Sequence, residues 1–170
     1  MSKAFTRESD DSGDDALPLL RTQLPPGVTN FITPGGAQRL QKELAELSER
    51  KLQLTSMNAE GMDSSAAEQR KLQARIRQLQ QILQSVVVTE PPAGDRERVG
   101  FGASVTVRHA NKEEIRYRIV GVDESDPARD EISWLSPLAR QLMGHRAGDR
   151  VRFRSPAGAE ELEIVALAYE

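Results

Sequence analysis

The chain has 170 residues, room for one ordinary domain or two small ones, and its aromatic content of 4% indicates that part of it lies outside a thick core. The absence of cysteine and the presence of two histidines exclude disulfides, thiolate metal sites and a histidine-built metal site. No apolar run approaches the ~20 residues of a membrane span, and a net charge of −3 argues against bulk binding to nucleic acid. We therefore expect a cytoplasmic protein without a cofactor, a bound metal or membrane contact.

The chain begins with an acidic segment, residues 1–30. This segment is rich in Asp and Ser, is too polar for a secretory signal, and ends in the helix-breaking step Pro25-Pro26-Gly27. Such a composition cannot bury enough apolar surface to order itself, so we predict a flexible acidic tail.

A helical hairpin is predicted over residues 31–90. Thr33 is a good N-cap residue, and Pro34 suits the first helical position. Apolar residues then recur at alternating steps of four and three, with Lys51 interrupting the first series: Leu40, Leu44, Leu47 and Leu54, then Leu72, Ile76, Leu79, Leu83 and Val86. Two matching seams predict an antiparallel coiled coil whose arms reach on the order of 35 Å.

A small sheet domain is predicted over residues 101–170, after a linker at 91–100. Its strand segments alternate apolar and polar residues: GASVTVRH, EIRYRIVGV, EISWLS and DRVRFRSPAGAEELEIVALAY. A turn is predicted at Asn111-Lys112, and a short helix starts with Ser136 as N-cap and stops at Gly144. The predicted fold class is α+β, with a coiled-coil hairpin followed by four or five antiparallel strands and one short helix.

The C-terminal segments FGASVTV, YRIVGVDE, ISWLSPLARQLMG, AGDRV and SPAGAEELEI follow the order and spacing of the bacterial Gre transcript-cleavage factors, GreA and GreB. ITPGGAQRLQKEL resembles the start of that family's first helix, and KAFTRESD resembles the N-terminal segment of GreB-like proteins. The resemblance implies an FKBP-like C-terminal domain that docks on the rim of the secondary channel of RNA polymerase, while the coiled coil enters the channel. In that family two carboxylates at the tip help to hold a second Mg²⁺, with which the polymerase hydrolyses its own transcript.

The tip of this hairpin, GMDSSAAEQ, departs from the family's pattern of one Asp and one Glu. Met62 and Ser65 occupy the two acidic positions, and a thioether and a hydroxyl are poor Mg²⁺ ligands beside carboxylates. Glu60 and Asp63, three residues apart, are the weak candidates for an alternative catalytic pair. A structural explanation is stronger, because Ser65 and Glu68 form a capping box and Asp63 favours the same helix N-terminus.

The length of the arms also argues against a catalytic tip. Compared with the cleavage factors, the segments from Ile32 to Gly61 and from Gly61 to Phe101 are each shorter by about one heptad. A lost heptad per arm shortens the reach by ~10 Å, and metal positioning tolerates far less displacement than that. In arm length the chain is similar to short-armed, Rnk-like relatives. We therefore expect a tip that is a turn and does not stimulate cleavage.

Two surfaces are candidate contacts with the transcription machinery. The resemblance assigns polymerase docking to the acidic loop after the second strand and to the start of the short helix: Asp123, Glu124, Ser125, Asp126, Ser136 and Pro137. It also makes the basic residues of the second arm candidate RNA contacts: Arg70, Lys71, Arg75 and Arg77. For this second set, a solubilising face with ion pairs along the helix is the favoured explanation.

Three hypotheses remain. The leading one is a monomeric Gre-family regulator of elongation that binds bacterial RNA polymerase at the secondary channel, does not stimulate cleavage and is not itself an enzyme. The second is a genuine cleavage factor that uses Glu60 and Asp63. The third is a coiled-coil adaptor or an FKBP-like binding module unrelated to polymerase. A prolyl isomerase is disfavoured, because the C-terminal part has few aromatic residues to line a pocket and fold analogy alone is a poor warrant.

Overall fold

The computed structural model describes residues 24–59, 66–155 and 158–169, so most of the predicted tail, the tip and residues 156, 157 and 170 lie outside it. The helices are α1 (Pro34–Ala59), α2 (Ala66–Ser85) and α3 (Pro137–Leu142). The strands are β1 (Phe31–Ile32), β2 (Val87–Val88), β3 (Ala103–Arg108), β4 (Glu114–Val120), β5 (Glu131–Ser133), β6 (Arg150–Ser155) and β7 (Gly158–Tyr169). Two 3₁₀ turns, Val122–Glu124 and Pro127–Arg129, lie between β4 and β5.

The helix α1 begins where the sequence predicts. The Thr33 hydroxyl oxygen accepts a hydrogen bond from the Gly36 amide at 3.0 Å, as an N-cap residue does. Leu40 packs near Leu79 at the base of the hairpin, and Leu54 packs near Leu72 toward the tip, so the two helices are antiparallel. With 26 residues in α1 and 20 in α2, the hairpin reaches on the order of 35 Å.

The seam of α2 differs from the prediction in its last turn. Leu79 is fully buried and Ile82 is 8% exposed, whereas Leu83 and Val86 are half-buried beside them. A straight helix has 3.6 residues per turn, so a seam spaced at 3.5 residues drifts around it, and a neighbouring residue takes over at the end. Ile82 is therefore a core residue of the hairpin that the four-three spacing missed.

The base of the hairpin contains a pair of short strands that no sequence pattern predicts. The strands β1 and β2 are parallel, with Phe31 opposite Val87 and Ile32 opposite Val88. The Val87 amide donates to the Asn30 carbonyl at 2.7 Å, and the Thr89 amide donates to the Ile32 carbonyl at 2.8 Å. The segments that enter and leave the hairpin are thus joined directly to each other.

The C-terminal domain is a five-stranded sheet in the order β5-β4-β3-β7-β6. Its neighbours are antiparallel except β4 and β5, which are parallel, because residues 121–130 carry the chain back before β5 begins. The sheet is therefore mixed and not purely antiparallel as predicted, because alternation in the sequence indicates a strand but not its direction. The α+β fold class is confirmed.

One face of this sheet packs on α3 and forms the main core. Ser136 caps α3 by accepting a hydrogen bond from the Ala139 amide at 3.1 Å, as predicted, and Gly144 follows the helix with φ 83°. The core is made of buried aliphatic residues from the strands and α3: Val99, Ala103, Val105, Val107, Ile119, Ala139, Leu142, Val151, Leu162 and Ile164.

Candidate functional site

Glu124, predicted to dock on polymerase, is buried, with 6% of its surface exposed. Its Oε1 accepts hydrogen bonds from the amides of Thr33 and Gly121, both at 2.7 Å. Its Oε2 accepts a hydrogen bond from the Thr33 hydroxyl at 2.6 Å. The 3₁₀ turn after β4 lies against β1 and the start of α1. This carboxylate therefore bonds to groups inside the protein and does not face solvent. We therefore remove Glu124 from the predicted docking surface.

An aromatic contact lies at the same junction between the hairpin and the sheet domain. The ring of Phe31 lies 5.6 Å from that of Trp134 and 6.0 Å from that of Phe101, measured between centroids. Tilted rings at this separation attract each other in addition to burying apolar surface. Together with Glu124, these rings attach the base of the hairpin to the sheet domain.

The rest of the acidic loop is at the surface but has local partners. The Asp123 carboxylate accepts a hydrogen bond from the Asn30 side-chain amide at 2.8 Å. Asp126 caps the second 3₁₀ turn by accepting from the Ala128 amide at 3.0 Å. Ser125 is exposed, and its hydroxyl donates to a carbonyl of its own turn at 3.0 Å. The loop thus presents Ser125 and the outer sides of Asp123 and Asp126 to solvent.

Ser136 and Pro137 are brought to the vicinity of this loop by β5. The first 3₁₀ turn contacts β5, and the chain reaches Ser136 shortly after β5 ends at Ser133. Pro137 is exposed, while the Ser136 hydroxyl is engaged in capping α3. The capping role is structural and leaves the outer side of both residues accessible.

A network of ion pairs that the sequence did not predict lies behind the acidic loop. Arg39 of α1 binds Glu131 of β5 at 3.0 Å and lies 3.8 Å from Glu124. Arg129 lies 3.6 Å from the other oxygen of Glu131, whose side chain is 4% exposed. No sequence pattern links these residues, because their proximity depends on the parallel pairing that brings β5 beside β4. The network adds charged contacts between hairpin and sheet domain.

The basic residues of α2 divide into two groups. Arg75 binds both carboxylate oxygens of Glu43 on α1, at 2.6 and 2.8 Å, so it is an ion pair across the hairpin. Arg70, Lys71 and Arg77 are exposed and have no ion-pair partner among the described residues. Arg70 and Arg77 are seven residues apart on the face opposite the leucine seam, so they point to solvent. Only this second group remains a candidate for RNA contact.

The candidate catalytic residues Glu60 and Asp63 lie outside the described residues, as do Met62 and Ser65. The helix α2 begins at Ala66, one residue after the predicted N-cap Ser65. Within residues 24–59, 66–155 and 158–169, no group of three His, Asp or Glu side chains could hold a metal ion. In the same ranges no helix is both long and apolar enough to cross a membrane.

Comparisons with known proteins identify the family. A family model described as the C-terminal domain of transcription elongation factor GreA/GreB matches residues 94–169. Transcription elongation factor GreB of Neisseria meningitidis is 37% identical over 153 residues, covering 82% of this chain and 94% of the relative, and GreB of Pseudomonas aeruginosa is 42% identical over 154 residues, covering 83% and 91%. The crystal structure of GreA factor homolog 1 of Thermus thermophilus matches at 28% identity and a TM-score of 0.39, covering 83% of this chain and 99% of that chain. The chain belongs to the GreA/GreB family of transcription elongation factors.

Proposed function

We propose that this Gre-family protein binds RNA polymerase at the rim of the secondary channel, places its hairpin in the channel, and regulates elongation without stimulating transcript cleavage. It acts as a cytoplasmic monomer and supplies no catalytic group. The sheet domain, residues 101–170, is the docking part, and the hairpin, residues 31–90, is the part that reaches inward.

The attachment of the hairpin to the sheet domain is the observation that carries this proposal. A protein that docks through one domain and reaches with another needs a defined angle between the two. Glu124 accepts three hydrogen bonds at this junction, and the Arg39–Glu131 ion pair spans it. A buried, fully paired carboxylate fixes geometry strongly, because any movement leaves charged or polar groups unpaired. Such an attachment supports a positioning role for the hairpin.

The chemistry of the tip supports the absence of cleavage. In the family pattern, two carboxylates hold the second Mg²⁺, and this chain has Met62 and Ser65 at those positions. The second candidate function is that of a cleavage factor with a shifted acidic pair, Glu60 and Asp63. Their spacing of three residues matches that of the family's pair.

The alignment with a relative supports a shortened reach. The alignment with the Neisseria meningitidis relative spans 153 positions but only 82% of this 170-residue chain, about 139 residues, so about 14 positions of the relative have no counterpart here. One heptad missing from each arm gives a deficit of this size and keeps the seam in register. The tip would then end ~10 Å short of the position that a cleavage factor reaches.

The docking surface that we propose consists of Asp123, Ser125, Asp126, Ser136 and Pro137, without the buried Glu124. A double variant, Asp123→Lys with Ser125→Lys, reverses one charge and adds a second positive charge on this surface without replacing the buried carboxylate. We expect at least about a tenfold loss of affinity for core RNA polymerase, measured by a pull-down titration. Glu90→Lys, an exposed charge reversal elsewhere on the chain, is the control and should bind normally. Unchanged affinity of the double variant would remove this loop from the interface.

A further inference from the structure

An open, polar cleft of about 200 Å³ lies on the sheet domain, lined by Ser104, Arg116, Arg118, Arg129 and Glu131. The strand register places Ser104, Arg118 and Glu131 side by side in one row across β3, β4 and β5. Arg116 and Arg118 alternate along β4 with Tyr117 and Ile119, which pack on the main core. The cleft is therefore on the opposite face of the sheet, near the base of the hairpin.

Arg118 has an unusual environment in this cleft. Its Nε is buried and has no hydrogen-bond partner in the part of the chain that the structure describes. A buried donor without an acceptor is rare in folded proteins, and its cost is greatest when the group carries a charge. The protein itself covers Nε, so the N–H groups that this guanidinium offers to an acceptor from outside the chain are those of its two terminal nitrogens, which bind no acidic side chain among the described residues.

The charge balance shows which kind of acceptor fits. Glu131 lines the cleft, but its two oxygens face Arg39 at 3.0 Å and Arg129 at 3.6 Å, so its negative charge is compensated. Arg118 adds a further positive charge beside this compensated group. A cleft with an excess of guanidinium groups favours an anion.

We propose that this cleft binds a small anion through a phosphate group, with Arg118 and Arg129 as the principal donors and the Ser104 hydroxyl as an additional partner. The planar guanidinium presents paired N–H groups that match the oxygens of a phosphate, and such charge-assisted hydrogen bonds are about twice as strong as neutral ones. Inorganic phosphate, pyrophosphate and the phosphates of a nucleotide share this chemistry. The site is separate from the tip and adjoins the docking loop, because Arg129 lies in the turn that Asp126 caps. It does not depend on the proposed polymerase contact.

Isothermal titration of the full chain with inorganic phosphate, pyrophosphate and ATP, at one low ionic strength, tests the proposal. We expect saturable binding of at least one of the three, and the ranking shows which source of the phosphate group the cleft accepts. Arg118→Gln should weaken that binding by at least about tenfold, the loss expected for a hydrogen bond to a charged group. Arg152→Gln is the matched control, because Arg152 is an exposed arginine of the same sheet that does not line the cleft.

Arg129→Gln provides a second variant, since the Arg129 side chain is 53% exposed and its removal should not prevent folding. It should also weaken the binding. The proposal is wrong if the wild-type chain binds none of the three anions saturably, or if Arg118→Gln and Arg152→Gln lower the affinity equally. It is also wrong if Arg118→Gln impairs only polymerase binding, because the cleft would then accept an acidic protein side chain.

Discussion

The Glu124 carboxylate accepts three hydrogen bonds at the junction of the hairpin and the sheet domain, from the Thr33 amide, the Thr33 hydroxyl and the Gly121 amide. Its place could not be predicted from the sequence. Four consecutive polar residues before Pro127 have the composition of a solvated loop, and only the meeting of this loop with α1 reveals that Glu124 is inside. Thr33, by contrast, was predictable as an N-cap, because that role depends on local sequence alone.

Replacing Glu124 should therefore destabilise the protein strongly. Glu124→Ala leaves three buried donors without an acceptor, and we expect a loss of at least about 3 kcal/mol in the free energy of unfolding. Urea denaturation followed by circular dichroism measures it. Asp123→Ala is the neighbouring control and should cost about 1 kcal/mol, because Asp123 is part-buried. A small and equal loss in both variants would contradict the buried hydrogen bonds at Glu124.

Glu160 gives the protein a predictable acid sensitivity. The Ala110 amide donates a hydrogen bond to the Glu160 carboxylate at 3.1 Å, and this bond, helped by His109, lowers the pKa of Glu160 below its ordinary value of 4.5. Because the folded-state pKa is depressed, the stabilisation is complete above pH 4.5 and is lost as the pH falls through the folded-state pKa.

Melting temperatures of the wild-type chain and Glu160→Gln, measured from neutral pH down to pH 3, test this expectation. The difference between them should be largest near neutral pH and should shrink below pH 4.5. Glu90→Gln, which removes an exposed carboxylate with no hydrogen-bond partner in the described chain, should show no such trend. A difference between wild type and Glu160→Gln that stays constant over the whole range would contradict the lowered pKa.

At the scale of elements, the strands of the sheet domain and all three helices were predictable, and the two strands at the base of the hairpin were not. The leucine seam predicted both arms of the hairpin, the strand segments of the sequence predicted β3, β4, β5, β6 and β7, and the N-cap Ser136 predicted α3. The strands β1 and β2 have two residues each, too few for any periodicity, and their pairing depends on the hairpin that brings their ends together. Ile82 was missed because its neighbour Leu83, and not Ile82, continues the four-three spacing after Leu79.

Alanine substitutions at the two glycines in the first turn of α1, Gly35 and Gly36, separate the effect of helix propensity from the effect of tertiary packing. A Cβ on Gly36 would overlap the Glu124 carboxylate, whereas a Cβ on Gly35 would meet nothing within 4 Å. Gly35→Ala should therefore stabilise the protein by up to about 1 kcal/mol through its helix propensity. Gly36→Ala should destabilise it by about 1–3 kcal/mol through overpacking. Urea denaturation of both variants provides the comparison, and stabilisation of similar size in both would show that Glu124 does not lie against α1.

At the scale of the whole molecule, the resemblance in the C-terminal motifs predicted the family and the order of its two parts. The contacts between those parts were not predictable, because Arg39 and Glu131 are far apart in sequence and meet only when β5 pairs with β4. Of the candidate site, the sequence predicted the loop, but it could not show which of its acids face the interior.

The proposed shortfall in reach leads to a prediction about restoring activity. Met62→Asp with Ser65→Glu supplies the acids of the family pattern, yet we expect little cleavage from it, because the tip would still end ~10 Å short. Adding one heptad to each arm of that double variant should be required before activity is gained. The assay is transcript cleavage in backtracked complexes, with the lengthened but otherwise unchanged chain as the control. Strong cleavage by the point variant alone would show that reach does not limit activity.

The most direct measurement is the rate of transcript cleavage in a backtracked elongation complex that is saturated with the wild-type protein. Saturation is established by a binding titration with the same polymerase, so a negative rate cannot be attributed to a lack of binding. Our account predicts that the protein binds and that the cleavage rate stays at the polymerase's own level. A clear acceleration that disappears in Glu60→Ala with Asp63→Ala would contradict it and establish those residues as the catalytic pair, and failure to bind would contradict the proposed partner.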